Sequence, residues 1–212
     1  MASAALLWVP VAAEHKESEV RLRHGDRGPD VASYQGFPDW PEVAAWGARF
    51  AFTKVTEGAA YLNPYFADNW REIKAVGLLR GGYHFARPDE GSPDREVDWL
   101  LSKVRLEGDD LLALDLEVGS GNLHDWCMAW LLGFTLKTGR KALLYSGSYF
   151  MRDHGLDAPD IAAACGGLWL ASYTPDKPAV PRGFPEIMFW QYTDAAQITG
   201  IQGGVDCSVY LL

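Results

Sequence analysis

The 212-residue sequence is poor in cysteine, lacks any long apolar run and is short of positive charge. Three Cys do not make a disulfide framework. The odd count leaves at least one free thiol in a monomer, which fits a reducing cytoplasm better than a secreted setting. No apolar stretch reaches about 18 residues, so no membrane-spanning helix is predicted. Lys plus Arg number 19 against 28 for Asp plus Glu, a net charge of −9. Nonspecific nucleic-acid binding relies on basic surface, so no nucleic-acid partner is expected. The five His, at 15, 24, 84, 124 and 154, have no metal-ligand spacing, and neither a metal nor another cofactor is expected.

What is present is ordinary for a globular chain: 48% apolar and 22% charged residues. A chain of this size buries roughly 70% of its unfolded surface, enough for a full core. The unusual count is nine Trp, beside nine Tyr and nine Phe. Aromatic residues fill cores first, but a surplus of Trp also suits a cleft that stacks on sugar rings. Residues 2–13 are apolar and 14–27 highly charged, without the basic start of a secretory signal. Residues 1–29 therefore read as a lead or linker, docked through Leu7 and Trp8, ahead of a main domain over 30–212. Gly28 and Pro29 punctuate the boundary.

From Asp30 onward, short apolar runs alternate with helical spacing. Strands are predicted at 30–35, 50–55, 81–85, 111–117, 142–146, 168–173, 188–192 and 205–209, and helices at 40–46, 64–76, 93–104 and 123–138. Strand and helix in series mean a mostly parallel sheet covered by helices. Eight strands in this length predict an α/β fold, an irregular TIM-like barrel with fewer helices than strands. Residues 174–187, with Pro at 175, 178, 181 and 185, read as a loop, so little helix separates the last strands.

In such a barrel, chemistry gathers at the C-terminal ends of the strands. Along Leu111-Leu112-Ala113-Leu114-Asp115-Leu116-Glu117, alternation puts Asp115 and Glu117 on one face and three Leu on the other. Their Cα atoms would lie about 6.5–7 Å apart. Neighbouring buried carboxyls raise each other's pKa, so one can stay protonated while another stays charged, as glycoside hydrolysis requires. An exposed edge strand bearing two solvated acids, or a metal site, would show the same spacing. Asp30, Glu57 and Asp206 stand in similar places; each alone also reads as a cap or a salt-bridge partner. Tyr34, Tyr61, Tyr83, Phe85, Tyr145, Tyr173, Trp190 and Tyr192 cluster near the same ends. Trp40, Trp46, Trp70, Trp99, Trp126 and Trp130 lie on helical segments and read as core, and His84 reads as a structural hydrogen-bonding residue.

These residues resemble glycoside hydrolase family 25, the Chalaropsis-type lysozymes, from about Gly28 to Leu212. The resemblance rests on Asp30-Val31-Ala32-Ser33-Tyr34-Gln35-Gly36, on Phe50 to Gly58, and on Gly77-Leu78 followed by Gly82-Tyr83-His84-Phe85. It continues through Asp115-Leu116-Glu117, Phe189-Trp190-Gln191-Tyr192-Thr193 and Val205-Asp206. Two positions depart from the pattern: Thr53, where isoleucine is usual, and Ser208, where asparagine often follows the last aspartate.

The resemblance implies cleavage of the β-1,4 bond between N-acetylmuramic acid and N-acetylglucosamine in bacterial peptidoglycan. It places four acids in the site: Asp30, Asp115, Glu117 and Asp206. Glu117 would be the general acid, and Asp115 would orient the substrate's 2-acetamido group, whose carbonyl oxygen attacks the anomeric carbon. That is a retaining, substrate-assisted route. Asp30 and Asp206 would tune pKa values, with direct participation of Asp30 as the alternative. Tyr83, Trp190, Tyr34, Glu57, Tyr145 and Gln191 are the candidate substrate-binding residues. The setting implied is the cell wall, with a monomeric phage endolysin held in the host cytoplasm until lysis, or else a secreted enzyme. Competing readings are a catalytically inactive glycan-binding module and an N-acetylglucosaminidase or chitinase-like hydrolase.

Overall fold

The computed structural model describes residues 20–212. The apolar lead, with Leu7 and Trp8, lies outside the described residues. Nine strands form one sheet: β1 (Arg27–Val31), β2 (Phe50–Glu57), β3 (Tyr61–Leu62), β4 (Leu79–Phe85), β5 (Leu111–Asp115), β6 (Leu143–Gly147), β7 (Leu168–Ala171), β8 (Phe189–Ala196) and β9 (Val205–Tyr210). The first strand begins three residues before Asp30, so the anticipated boundary at Pro29 falls within it.

The sheet order is β1-β9-β8-β7-β6-β5-β4-β2, and pairing of β1 with β2 closes it into an eight-stranded barrel. The short β3 folds back as a hairpin on β2. All barrel pairings are parallel except those of β9, which runs antiparallel to both β8 and β1. Closure leaves the barrel itself without open edges.

Among the described residues six helices cover the outside: α1 (Trp40–Trp46), α2 (Phe66–Ala75), α3 (Pro93–Leu101), α4 (Leu123–Thr138), α5 (Ser148–Asp153) and α6 (Pro159–Ala164). Local chemistry sets the ends of the clearest two. The Asp39 carboxylate caps α1 by accepting from the Glu42 N–H, and Asn122 caps α4 by accepting from Asp125. Gly47 (φ 109°) and Gly139 (φ 70°) end these helices in the left-handed region, where a β-carbon is strained. No helix separates β7, β8 and β9.

Alternation along each strand divides the core. Leu112, Leu114 and Leu116 pack outward with Cys127, Trp130 and Phe134 of α4. Phe50, Phe52, Ala113, Leu143, Trp169 and Phe189 fill the barrel's interior. Phe52 stacks on Trp169 at 4.2 Å between centroids. At Gly81 a β-carbon would come within 2.2 Å of the Phe52 ring, so the aromatic plug requires glycine on β4. This plug closes one end of the barrel and leaves a hollow at the other.

Candidate active site

The hollow lies at the C-terminal ends of the parallel strands. Asp30 comes from the end of β1, Asp115 from the end of β5, and Glu117 from two residues beyond it. Asp206 comes from the start of β9, because that strand runs the opposite way and reaches the same rim with its N-terminal end. In the register of β1 on β9, Asp30 sits directly opposite Asp206. The four acids line one cavity of about 290 Å³, together with Tyr34, Gln35, Lys54, Glu57, Tyr83, Phe85, Arg87, Tyr145 and Trp169. Inward–outward alternation persists past the end of β5: Leu116 packs into the outer core while Asp115 and Glu117 both face the cavity.

Burying and crowding the acids perturbs all four. Burial raises Asp30 well above the ordinary carboxylate range, and the charge of Asp206 raises it further. The Gln191 amide, donating to Asp30 Oδ2 at 3.0 Å, opposes this. Asp206 is also raised, again chiefly by burial, while its hydrogen bond with Asp30 pulls it down. The two carboxyls face each other across the strand pairing, and burial together with that proximity disfavours ionising both. Asp115 is raised strongly by burial and then by Glu117. Its Oδ1 is buried without a hydrogen-bond partner among the described residues. Glu117 is the most accessible of the four, yet enclosure by the cavity walls raises it, with Asp206 adding and Lys54 opposing.

A backbone irregularity supplies the cations. The register of β2 on β4 slips between Lys54 and Thr56. Val55 therefore packs in the outer core and Thr56 also turns outward, to His84 Nδ1 at 2.8 Å. Lys54 and Glu57 both face the cavity, which strict alternation would forbid. Glu57 bridges Lys54 and Arg87, and both cations lie over the Phe85 ring, at 4.5 and 4.8 Å from its centroid. Burial pushes Glu57 up, but hydrogen bonds from Lys54 and Arg87 outweigh it and its carboxyl stays below the ordinary range. Behind the strand, His84 Nε2 lies 2.7 Å from Glu96, which also accepts from the Arg87 backbone N–H.

The profile described as Glycosyl hydrolases family 25 matches residues 29–201. The chain belongs to this family. The family 25 hydrolase is 28% identical to Lysozyme M1 of Streptomyces globisporus over 86% of its own length and 66% of that relative's. It is 30% identical to the N,O-diacetylmuramidase of Chalaropsis sp, over 85% of its own length and 95% of that relative's. Its fold superposes on the bacterial lysozyme from Streptomyces coelicolor with a TM-score of 0.82 at 29% identity, covering 88% and 92% of the two chains.

Most sequence-predicted site residues of the family 25 hydrolase gather at this cavity: Asp30, Tyr34, Glu57, Tyr83, Asp115, Glu117, Tyr145 and Asp206 line it. Gln191 lies just behind, donating to Asp30 and accepting at Oε1 from Tyr145 (2.9 Å) and Tyr173 (2.8 Å) hydroxyls. Trp190 stands elsewhere. It projects from the opposite face of β8, packs on the outer core and donates its indole N–H to the Ser172 carbonyl at 2.7 Å. Trp169, one strand away, lines the cavity in its place, and its N–H donates to Ser208 at 2.9 Å. That bond is what serine provides at the position departing from the family pattern. Lys54 and Arg87 were not anticipated as site residues; Lys54 lies in the quoted 50–58 motif, but its orientation depends on the bulge. His84 is fully buried in its hydrogen-bonded network. Cys127, Cys165 and Cys207 are unpaired and buried, and Cys207 faces away from the cavity. Among the described residues, no helix is long and apolar enough to cross a membrane.

Proposed function

We propose that the cavity hydrolyses the β-1,4 bond between N-acetylmuramic acid and N-acetylglucosamine in peptidoglycan by a retaining, substrate-assisted route. The observation that carries this reading is the pairing of Asp115 and Glu117 on one wall of the cavity, Asp115 buried and Glu117 accessible, both held above the ordinary carboxylate range. Asp115 accepts the N–H of the 2-acetamido group and polarises its carbonyl oxygen, which attacks the anomeric carbon. Glu117 donates its proton to the leaving glycosidic oxygen. A cyclic oxazolinium then forms as the glycosidic bond breaks; water attacks its anomeric carbon, giving a proton to the Glu117 carboxylate, and the ring C–O bond opens to restore the acetamido group. Burial and the facing Asp206 disfavour an ionised Asp30, which supports this route over direct displacement by that carboxylate. Tyr83, Tyr145 and Trp169 supply the aromatic walls.

The action belongs at the bacterial cell wall. Three unpaired cysteines support synthesis and storage in a reducing cytoplasm before release, as in a phage endolysin, over secretion. Digestion of purified peptidoglycan, with mass spectrometry of the new reducing ends, tests the bond assignment. Muramic acid at those ends is expected. Glucosamine there would make the enzyme a glucosaminidase, and intact glycan strands would leave only a binding module.

A further inference from the structure

The bulge in β2 is held from the far side of the sheet. In the register of β2 on β4, Lys54 lies opposite Tyr83, Thr56 opposite His84 and Glu57 opposite Phe85. Without the slip, Thr56 would lie opposite Phe85 and face the cavity, and Glu57 would turn away from it. The extra residue therefore exchanges a threonine for a carboxyl on the cavity wall. Only in the slipped register does the Thr56 hydroxyl meet His84 Nδ1, at 2.8 Å. His84 Nε2 in turn meets Glu96 Oε2 at 2.7 Å, and Glu96 Oε1 accepts from the Arg87 N–H at 3.2 Å.

Thr56, His84 and Glu96 are all fully buried, and the imidazole lies against the Trp130 ring of α4, 5.7 Å between centroids. Donor accounting gives the chain a direction. A Glu96 carboxylate accepts from Nε2–H, so Nδ1 is left as an acceptor and the Thr56 hydroxyl donates to it. On the cavity side, the same slip brings Glu57 against Lys54 and Arg87. Lys54 lies over the Phe85 ring, and the next strand places Asp115 opposite Phe85. The ammonium thus stands beside the acid pair and favours the charged forms of both Asp115 and Glu117 against burial. The buried chain ends on the Arg87 backbone and the ion-pair bridge on its guanidinium, so the bulge is clamped behind and in front.

We propose that Thr56, His84 and Glu96 are positioning residues for the reaction: by holding β2 in its slipped register from behind, they keep Lys54 beside Asp115 and Glu117. None of the three lines the cavity. This assignment rests on the muramidase reading for the roles of Asp115 and Glu117. The other titratable groups facing Lys54 in the hollow are Asp30 of β1, Glu57 of β2, Tyr61 of β3, Tyr83 of β4, Arg87 beyond it, Tyr145 of β6 and Asp206 of β9. Of these, Glu57 moves with the bulge. It acts on Asp115 in the opposite sense to Lys54 and more weakly, so the net change on loosening the bulge follows Lys54.

Three substitutions separate the possibilities. Thr56→Val keeps the shape and removes the hydroxyl, Thr56→Ser keeps the hydroxyl, and Lys54→Met removes the cation itself. NMR of the Asp115 and Glu117 carboxyl carbons in the free protein should show both titrating at higher pH in Thr56→Val and Lys54→Met, and as in the parent in Thr56→Ser. Lys54→Met/Thr56→Val should titrate like Lys54→Met alone, because the hydroxyl acts through the ammonium. Glu96→Gln, which weakens the other end of the chain, should move both titrations the same way, and it carries the test where Thr56→Val does not fold. In turnover of a soluble peptidoglycan oligosaccharide, the pH–rate profile of Thr56→Val should move to higher pH. Its kcat at the parent's optimum should fall about tenfold, with Thr56→Ser restoring both. A Thr56→Val protein that melts earlier yet titrates like the parent overturns the assignment, since the chain would then be structural only. A shift that adds to that of Lys54→Met overturns it as well. The titrations need no turnover: a parent that cleaves no peptidoglycan refutes the muramidase reading, while the carboxyl carbons still decide whether the clamp governs the acids.

Discussion

In the proposed route two carboxyls separated by one leucine carry the chemistry, and each can be removed without removing its shape. Glu117→Gln keeps the side-chain volume but has no transferable proton, so turnover should fall about a thousandfold, the scale of general acid catalysis, while the folded spectrum is retained. Asp115→Asn should lose about a hundredfold or more, because the acetamido group loses its charged partner. Near-normal turnover of that variant would shift the nucleophile to Asp30. The same crowding that makes the site reactive costs stability. Asp30 is raised in the fold by burial and by Asp206, so the native state holds its proton more tightly than the unfolded chain. Its favourable contribution is complete below the ordinary aspartate range, near pH 4, and is lost as pH rises through the raised native value. Asp30→Asn removes that loss and can keep the contact with Gln191. Thermal melts should show the variant more stable than the parent by about 1 kcal/mol, roughly 2–4 °C, at pH 7–8, with little difference at pH 4. A variant less stable at both pH values would contradict the raised value of Asp30 in the fold.

Among the elements, those with their own local punctuation were legible and those set by packing were not. Helices α1 and α4 match the expected 40–46 and 123–138 because a capping side chain and a terminal glycine mark both ends. Helix α2 begins at Phe66 instead of 64, since Asn63 and Pro64 are spent on a turn. The six-residue α5 and α6 and the two-residue β3 are too short for a periodic signal. Strand β8 was found, but its inward face was not. A strand buried on both sides is apolar on both sides, so the pattern does not say that Trp190 points outward while Trp169 of β7 points in. The bulge in β2 is likewise invisible in composition, yet it turns Glu57 and Lys54 into one cavity. Its anchor lies on another element: Glu96 of α3 holds His84 of β4, which holds Thr56 of β2. Glu96→Ala would leave the His84 ring nitrogen and the Arg87 N–H without partners in the interior. At about 1–3 kcal/mol for each buried orphan, urea denaturation should show a loss of about 3 kcal/mol. A loss below about 1 kcal/mol would mean that the bulge is held by the strand pairing alone.

At the scale of the whole molecule, the charge of −9 works against the location of the substrate. Bacterial walls are anionic polymers, so a negative enzyme approaches them against a repulsive field. Screening relieves that repulsion. The Debye length shrinks from about 30 Å at 0.01 M salt to about 8 Å at 0.15 M, shorter than the reach from the protein's far side to the cleft. Capture from the wall surface should therefore quicken as salt is added, whereas cleavage of a short oligosaccharide, which diffuses freely into the cavity, should change little. With walls below saturation, the rate of turbidity loss should rise about two- to fivefold between 0.01 and 0.15 M salt and then level off. A rate that falls steadily over that range would show that a local cluster of cations, and not the net field, governs first contact. Lys54 and Arg87 cannot supply it, because both are already bound to Glu57 at the cavity wall.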